Sequence, residues 1–82
     1  MKYSYKTKGT CSSAIDFEIE DGILHNVRYT GGCNGNLKAI GILTEGADAR
    51  EIAKKLRGNT CGFRNTSCAD QLACAIEKAL EA

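Results

Sequence analysis

The sequence predicts an α+β domain: a three-stranded antiparallel sheet followed by three helices packed on its apolar face. Three observations predict it. Apolar and polar residues alternate in three stretches between Lys2 and Thr30, the period of half-buried strands. Asp21-Gly22 separates two of those stretches, and both residues tolerate the positive φ of a tight hairpin turn. Beyond Gly31-Gly32 the apolar spacing changes to that of helices, interrupted at Gly46 and Gly58.

In residues 2–7, Tyr3, Tyr5 and Thr7 share one face, and Lys2, Ser4 and Lys6 share a wet one. Gly9-Thr10-Cys11-Ser12-Ser13 is a small-residue loop whose hydroxyls suit backbone hydrogen bonding. Residues 14–20 set Ile15, Phe17 and Ile19 against Asp16, Glu18 and Glu20. The return strand, 23–30, places Ile23, Val27 and Tyr29 on one face with His25 among them, expected as a packed, hydrogen-bonded side chain rather than a ligand. These three strands form a meander.

Residues 37–43 form the first helix. Leu37, Ile40, Leu43 and Thr44 share a stripe that Ala39 and Ile42 widen to most of the surface, which predicts a buried helix ended by Glu45-Gly46. Asp48, with Glu51 three residues on, caps a second helix. Its inner stripe is Ala49, Ile52, Ala53 and Leu56, and Arg50, Lys54, Lys55 and Arg57 face water until Gly58. Residues 59–66 are a loop. Ser67 caps the last helix, with Asp70 at its third position. Cys68, Leu72, Ile76, Ala79 and Leu80 lie on its inner side. Cys74, beside Asp70, Gln71 and Lys78 on the polar side, reads as a bystander.

With 82 residues the chain is read as one domain, residues 1–82. So small a domain has a thin stability margin, which a metal, a ligand or a homodimer contact would widen, although the sequence does not identify an interface. The net charge of +1, from 11 basic and 10 acidic residues, argues against nucleic acid as the main partner. No apolar run approaches the roughly 18 residues of a membrane span, so no membrane partner is expected. No apolar signal segment opens the chain, and a cytoplasmic location is expected. Five cysteines, an odd number, are dispersed at 11, 33, 61, 68 and 74 without a Cys-x-x-Cys pair. A disulfide framework is therefore not expected, and a metal site would be assembled from distant segments.

Two corners carry the chemistry. Gly31-Gly32-Cys33-Asn34-Gly35-Asn36 joins a strand to a helix, and Thr66-Ser67-Cys68-Ala69-Asp70 opens another helix. Backbone N–H groups and the helix dipole at such corners favour a thiolate or a bound anion. With Cys61 and Cys11, these positions supply four sulfurs, Cys11, Cys33, Cys61 and Cys68, suited to tetrahedral zinc or an iron–sulfur cluster. Ser12 and Asn34, each following a cysteine, are donors able to tune sulfur. Gly31, Gly32, Asn34, Gly35, Asn36, Thr66 and Ser67 are the expected lining of a cofactor site, with a flavin or nucleotide phosphate as the alternative ligand. The corner is neither a Walker loop nor a dinucleotide fingerprint, and its bland reading is a simple strand-to-helix turn. No paired-carboxylate pocket and no serine with a histidine base stand out, so no catalytic residue is assigned and acid–base hydrolysis is not expected. The remaining enzymatic reading is a thiol-redox relay through Cys61 and Cys68.

Thr66-Ser67-Cys68-Ala69-Asp70-Gln71-Leu72 resembles the Thr-Ser-Cys-Pro-Asp signature of the TSCPD domain, with Ala69 in place of proline. Gly31-Gly32-Cys33-x-Gly35-Asn36, Cys61-Gly62 and Gly9-Thr10-Cys11-Ser12 resemble its small stand-alone members over nearly the whole chain. Cys68 and Asp70 are kept as site candidates on this ground. The resemblance implies a link to ribonucleotide reduction, because the domain also extends cobalamin-dependent ribonucleotide reductases at their C-terminus. It implies a ribonucleotide reductase or another redox protein as partner, and an accessory role in binding metal or nucleotide or in relaying thiols. The chain is too short for a complete ribonucleoside-diphosphate reductase. The order of strands, a Gly-Cys corner and a late cysteine-capped helix also resembles NifU-type iron–sulfur scaffold proteins. Cys33, Cys61 and Cys68 fall at corresponding places, whereas Gly35 and Ser67 stand where the scaffold has aspartate and histidine.

Overall fold

A computed structural model describes residues 1–10, 12–32, 34–59 and 66–81. Its elements are β1 (Lys2–Lys6), β2 (Ser12–Glu20), β3 (Ile23–Gly31), α1 (Asn34–Thr44), α2 (Ala49–Leu56) and α3 (Cys68–Glu81). The strands form one antiparallel sheet in the order β1-β2-β3. The α+β architecture follows from the pattern that predicts it. Asp21 and Gly22 take positive φ of 52° and 80° at the hairpin turn, and Ile15, Phe17 and Ile19 are buried. Tyr3 faces Phe17 across the strands, their rings stacked with centroids 5.4 Å apart. The core joins these residues and Leu24 and Val27 to Leu72, Ala73, Ala75, Ile76 and Ala79 of α3, and α2 packs on α3. Asp48 caps α2 by accepting the Glu51 N–H at 3.1 Å.

Strand β3 departs from simple alternation. Asp16 faces Arg28 and Glu18 faces His25, so Asn26 and Val27 together oppose Phe17. This is a β-bulge, and Asn26 holds a φ of 53° within it. The extra residue reverses the parity, so Leu24 and Val27 both point into the core. His25 is consequently displaced from the apolar face where alternation puts it. Its Nδ1 lies 2.5 Å from Glu45 Oε2, and the Asn26 N–H donates to Glu45 Oε1 at 2.8 Å.

Helix α1 is not the buried helix that its composition predicts. It buries Leu37 and Thr44 against β3 and leaves Ile42 and Leu43 69% and 79% exposed. It approaches closely because Gly41 has no side chain: a Cβ there would lie 2.7 Å from the Val27 carbonyl oxygen. Gly41→Ala is therefore expected to lower the melting temperature by several degrees, although alanine gains about 1 kcal/mol of helix propensity. Thermal unfolding followed by circular dichroism checks this; an unchanged or raised midpoint would contradict the close packing. Helix α3 is also more enclosed than its pattern predicts, because Asp70 and Gln71 are buried with its apolar residues.

Candidate functional site

The start of α3 is held by a polar clasp. Ser67 Oγ accepts the Asp70 N–H at 3.1 Å, as an N-cap, and donates to the Asn59 carbonyl. The Asp70 carboxylate does not reach back to Ser67 as a capping box would. It accepts the Gly58 N–H at 2.7 Å and the Thr66 hydroxyl, tying the end of α2 to the start of α3. Gln71 Nε2 donates to Thr66 Oγ1 at 3.0 Å, and Gln71 Oε1 accepts the Lys8 N–H at 3.1 Å. Gly9 is close enough to Thr66 that a Cβ would meet its methyl group at 3.4 Å. The loop after β1 is thereby docked on the same helix start.

Cys68 occupies the first turn of α3, where the dipole of a 14-residue helix favours negative charge. Its Sγ lies 3.1 Å from Ser12 Oγ, and its carbonyl accepts the Tyr29 hydroxyl at 2.8 Å. Ser12 stands opposite Gly31 in the sheet. Ser12, next to Cys11 in sequence and beside the Cys68 sulfur, is thus paired with Gly31, two residues before Cys33. Asn59, two residues before Cys61, is bonded to the cap of the same helix. Cys11, Cys33 and Cys61 themselves lie outside the described residues.

Of the expected cofactor lining, Gly31 and Gly32 have φ of 75° and 83° at the end of β3. Asn34, Gly35 and Asn36 lie in the first turn of α1, with Gly35 and Asn36 exposed. Thr66 and Ser67 spend their hydroxyls within the clasp. Among the described residues, no group of three or more His, Cys, Asp or Glu side chains is arranged to hold a metal ion.

Charge at the site follows from these contacts. The Thr66 hydroxyl, the Gly58 N–H and the nearby Arg57 charge together hold the Asp70 carboxyl below its ordinary range, against the opposing effect of burial. Burial, with negative charge at Cys68 adding to it, pushes the Tyr29 phenol up, so it stays a neutral donor. Burial also raises the Cys74 thiol, despite Arg57 Nη1 at 3.0 Å from its sulfur. Cys74 therefore remains protonated near neutral pH.

Simple alternation assigns Tyr29 to the core and overlooks its role at the site. A half-buried tyrosine needs a partner for its hydroxyl, and that requirement is the available signal. Gln71 is overlooked for a similar reason: a helical polar residue reads as solvent-facing until the loop that it anchors is in place.

The model of one protein family, described as the TSCPD domain, matches residues 1–80. Comparisons with curated proteins and with solved structures find no match. The match spans nearly the whole chain, including the clasped Thr66-Ser67-Cys68-Ala69-Asp70 turn, and the chain belongs to the TSCPD domain family.

Proposed function

We propose that this chain is a small metal-binding module whose Cys11, Cys33, Cys61 and Cys68 hold one zinc ion or iron–sulfur cluster, and that it serves ribonucleotide reduction as an accessory protein. The observation that carries the metal reading is the meeting of Ser12, Gly31 and Cys68: Ser12 is paired with Gly31 and lies 3.1 Å from the Cys68 sulfur. Cys11 adjoins Ser12 in sequence, Cys33 follows Gly31 by two residues, and Asn59, two residues before Cys61, is bonded to the same helix cap. The donor chemistry fits, because four thiolates satisfy zinc or a cluster, and sulfur at a helix start is favoured as thiolate. Ser12 and Tyr29 act on the Cys68 residue: one hydroxyl contacts its sulfur and the other fixes its carbonyl. A bound metal would cross-link four segments of a domain whose core is small. The link to ribonucleotide reduction rests on the family alone.

A nucleotide or flavin at Gly31–Asn36 is the less supported ligand, since the Thr66 and Ser67 hydroxyls expected to contact it are engaged within the clasp. The deciding experiment is an absorbance spectrum with metal analysis on anaerobically purified protein. Near-stoichiometric zinc or iron is expected. Flavin absorbance without metal would transfer the site to the glycine-rich corner, and a colourless, metal-free protein would overturn the proposal.

A further inference from the structure

Strand β1 ends the sheet, and its outer edge is open among the described residues. Met1 and Ile19 exchange both backbone bonds, each at 3.0 Å, and the Thr7 N–H reaches the Ser13 carbonyl at 3.2 Å. Antiparallel bonding alternates along a strand, so Tyr3 and Tyr5 also bond towards β2. Lys2, Ser4 and Lys6 turn their N–H and C=O groups the other way, and no described residue takes them. The opening ends at Lys8, whose N–H is held by Gln71 of α3. A row of outward backbone groups is a template for one further strand.

The side chains beside this edge select what it takes. On one face Tyr3, Tyr5, Phe17, Ala75, Lys78 and Ala79 line a groove between β1 and α3. On the other, Lys2, Ser4 and Lys6 are exposed. Lys2, Lys6 and Lys78 form no ion pair among the described residues. The acids of β2 are engaged towards β3 instead: Glu18 accepts the Asn26 side-chain amide at 2.6 Å, and Asp16 stands opposite Arg28. No acidic side chain belongs to β1, and among the described residues none lines the groove. A second copy of β1 suits the edge poorly. With all three outward residues paired antiparallel, Ser4 faces Ser4 and Lys2 faces Lys6, and like charges directly opposite each other are destabilising. An acidic strand is attracted by the same lysines, and its alternate residues fall on the tyrosine side.

We propose that the outer edge of β1 receives an extended segment of a partner protein as a fourth strand, with acidic residues opposite Lys2 and Lys6 and apolar residues against Tyr3 and Tyr5. The inference is independent of the metal reading. Strand β1 has only 5 residues, so the contact falls at the small end of specific interfaces and the complex is readily reversible.

Calorimetric titration of the full chain with an acetylated, amidated heptapeptide of alternating glutamate and valine tests it. Saturable binding is expected below about 1 mM peptide. The counterpart with lysine in place of glutamate is expected to bind at least about tenfold more weakly. Ser4→Pro removes an N–H that β2 does not use, so the variant is expected to fold, which circular dichroism checks, and to bind the acidic peptide at least about tenfold more weakly. Lys2→Glu combined with Lys6→Glu keeps every backbone group and is expected to weaken binding by a similar factor, at least about tenfold. Absence of binding up to that concentration, equal affinity for the two peptides, or full affinity in either folded variant would overturn the proposal. A dimer of the free chain that Ser4→Pro dissolves would also overturn it, because a second copy would then hold the edge.

Discussion

Asp70→Ala is expected to cost about 2–4 kcal/mol of folding stability, because it leaves the Gly58 N–H and the Thr66 hydroxyl without their shared acceptor. For a chain of this length that corresponds to a fall in melting temperature of roughly 8–30 °C. The size follows from burial: Asp70 is 8% exposed, so water is poorly placed to replace the carboxylate. The effect also depends on pH. The folded-state pKa of Asp70 lies below its ordinary value, so its contribution is complete above that unfolded value and is lost as pH falls through the lower folded one. Asp70→Asn retains an acceptor but lacks the charge. Its stability gap from wild type is expected to be largest at neutral pH and to narrow below about pH 4. Urea unfolding of both proteins across pH 3–7 measures the gap; a pH-independent difference, or a loss below about 0.5 kcal/mol for Asp70→Ala, would refute this account of the clasp.

Cys68→Ser is expected to abolish stoichiometric metal and to remove the stability that the metal supplies, about 3–4 kcal/mol when free metal exceeds its dissociation constant by 100- to 1,000-fold. Serine keeps the size and hydrogen-bonding capacity near Ser12 but offers a poor ligand for a soft metal, which separates ligation from packing. Cys74→Ser is the internal control. It changes a half-exposed thiol bonded to Arg57, away from the helix start, and is expected to leave metal content unchanged. Metal analysis and thermal unfolding, with and without a chelator, read both effects. Equal metal in the two variants would exclude Cys68 as a ligand.

The family's Thr66-Ser67-Cys68-Ala69-Asp70 turn sets a helix start, and its polar side chains secure that start to the end of α2 and to the loop after β1. Cys68 is thereby fixed on a rigid element rather than on a loop, as its proposed ligand role requires.

The alternation of Ile15, Phe17 and Ile19, the Asp21-Gly22 turn, the Asp48 cap and the Ser67 cap were legible in the sequence, because each depends on neighbours within a few residues along the chain. The helix-start position of Cys68 was legible on the same footing, since its place in the first turn of α3 follows from the Ser67 cap. Tertiary structure alone decided the rest. The bulge at Asn26 reversed the parity of β3, turned Leu24 inward and sent His25 to Glu45; alternation has no means of counting a residue that its partner strand does not match. Gln71 became interior because the loop after β1 closes over it, and Asp70 because the end of α2 and Thr66 do. Helix α1 stayed outside because one sheet face is filled by α3 and its supporting α2, leaving α1 only β3 to rest on. An apolar residue's position in the chain says that it can be buried. The number of surfaces available to bury it is a property of the assembled fold.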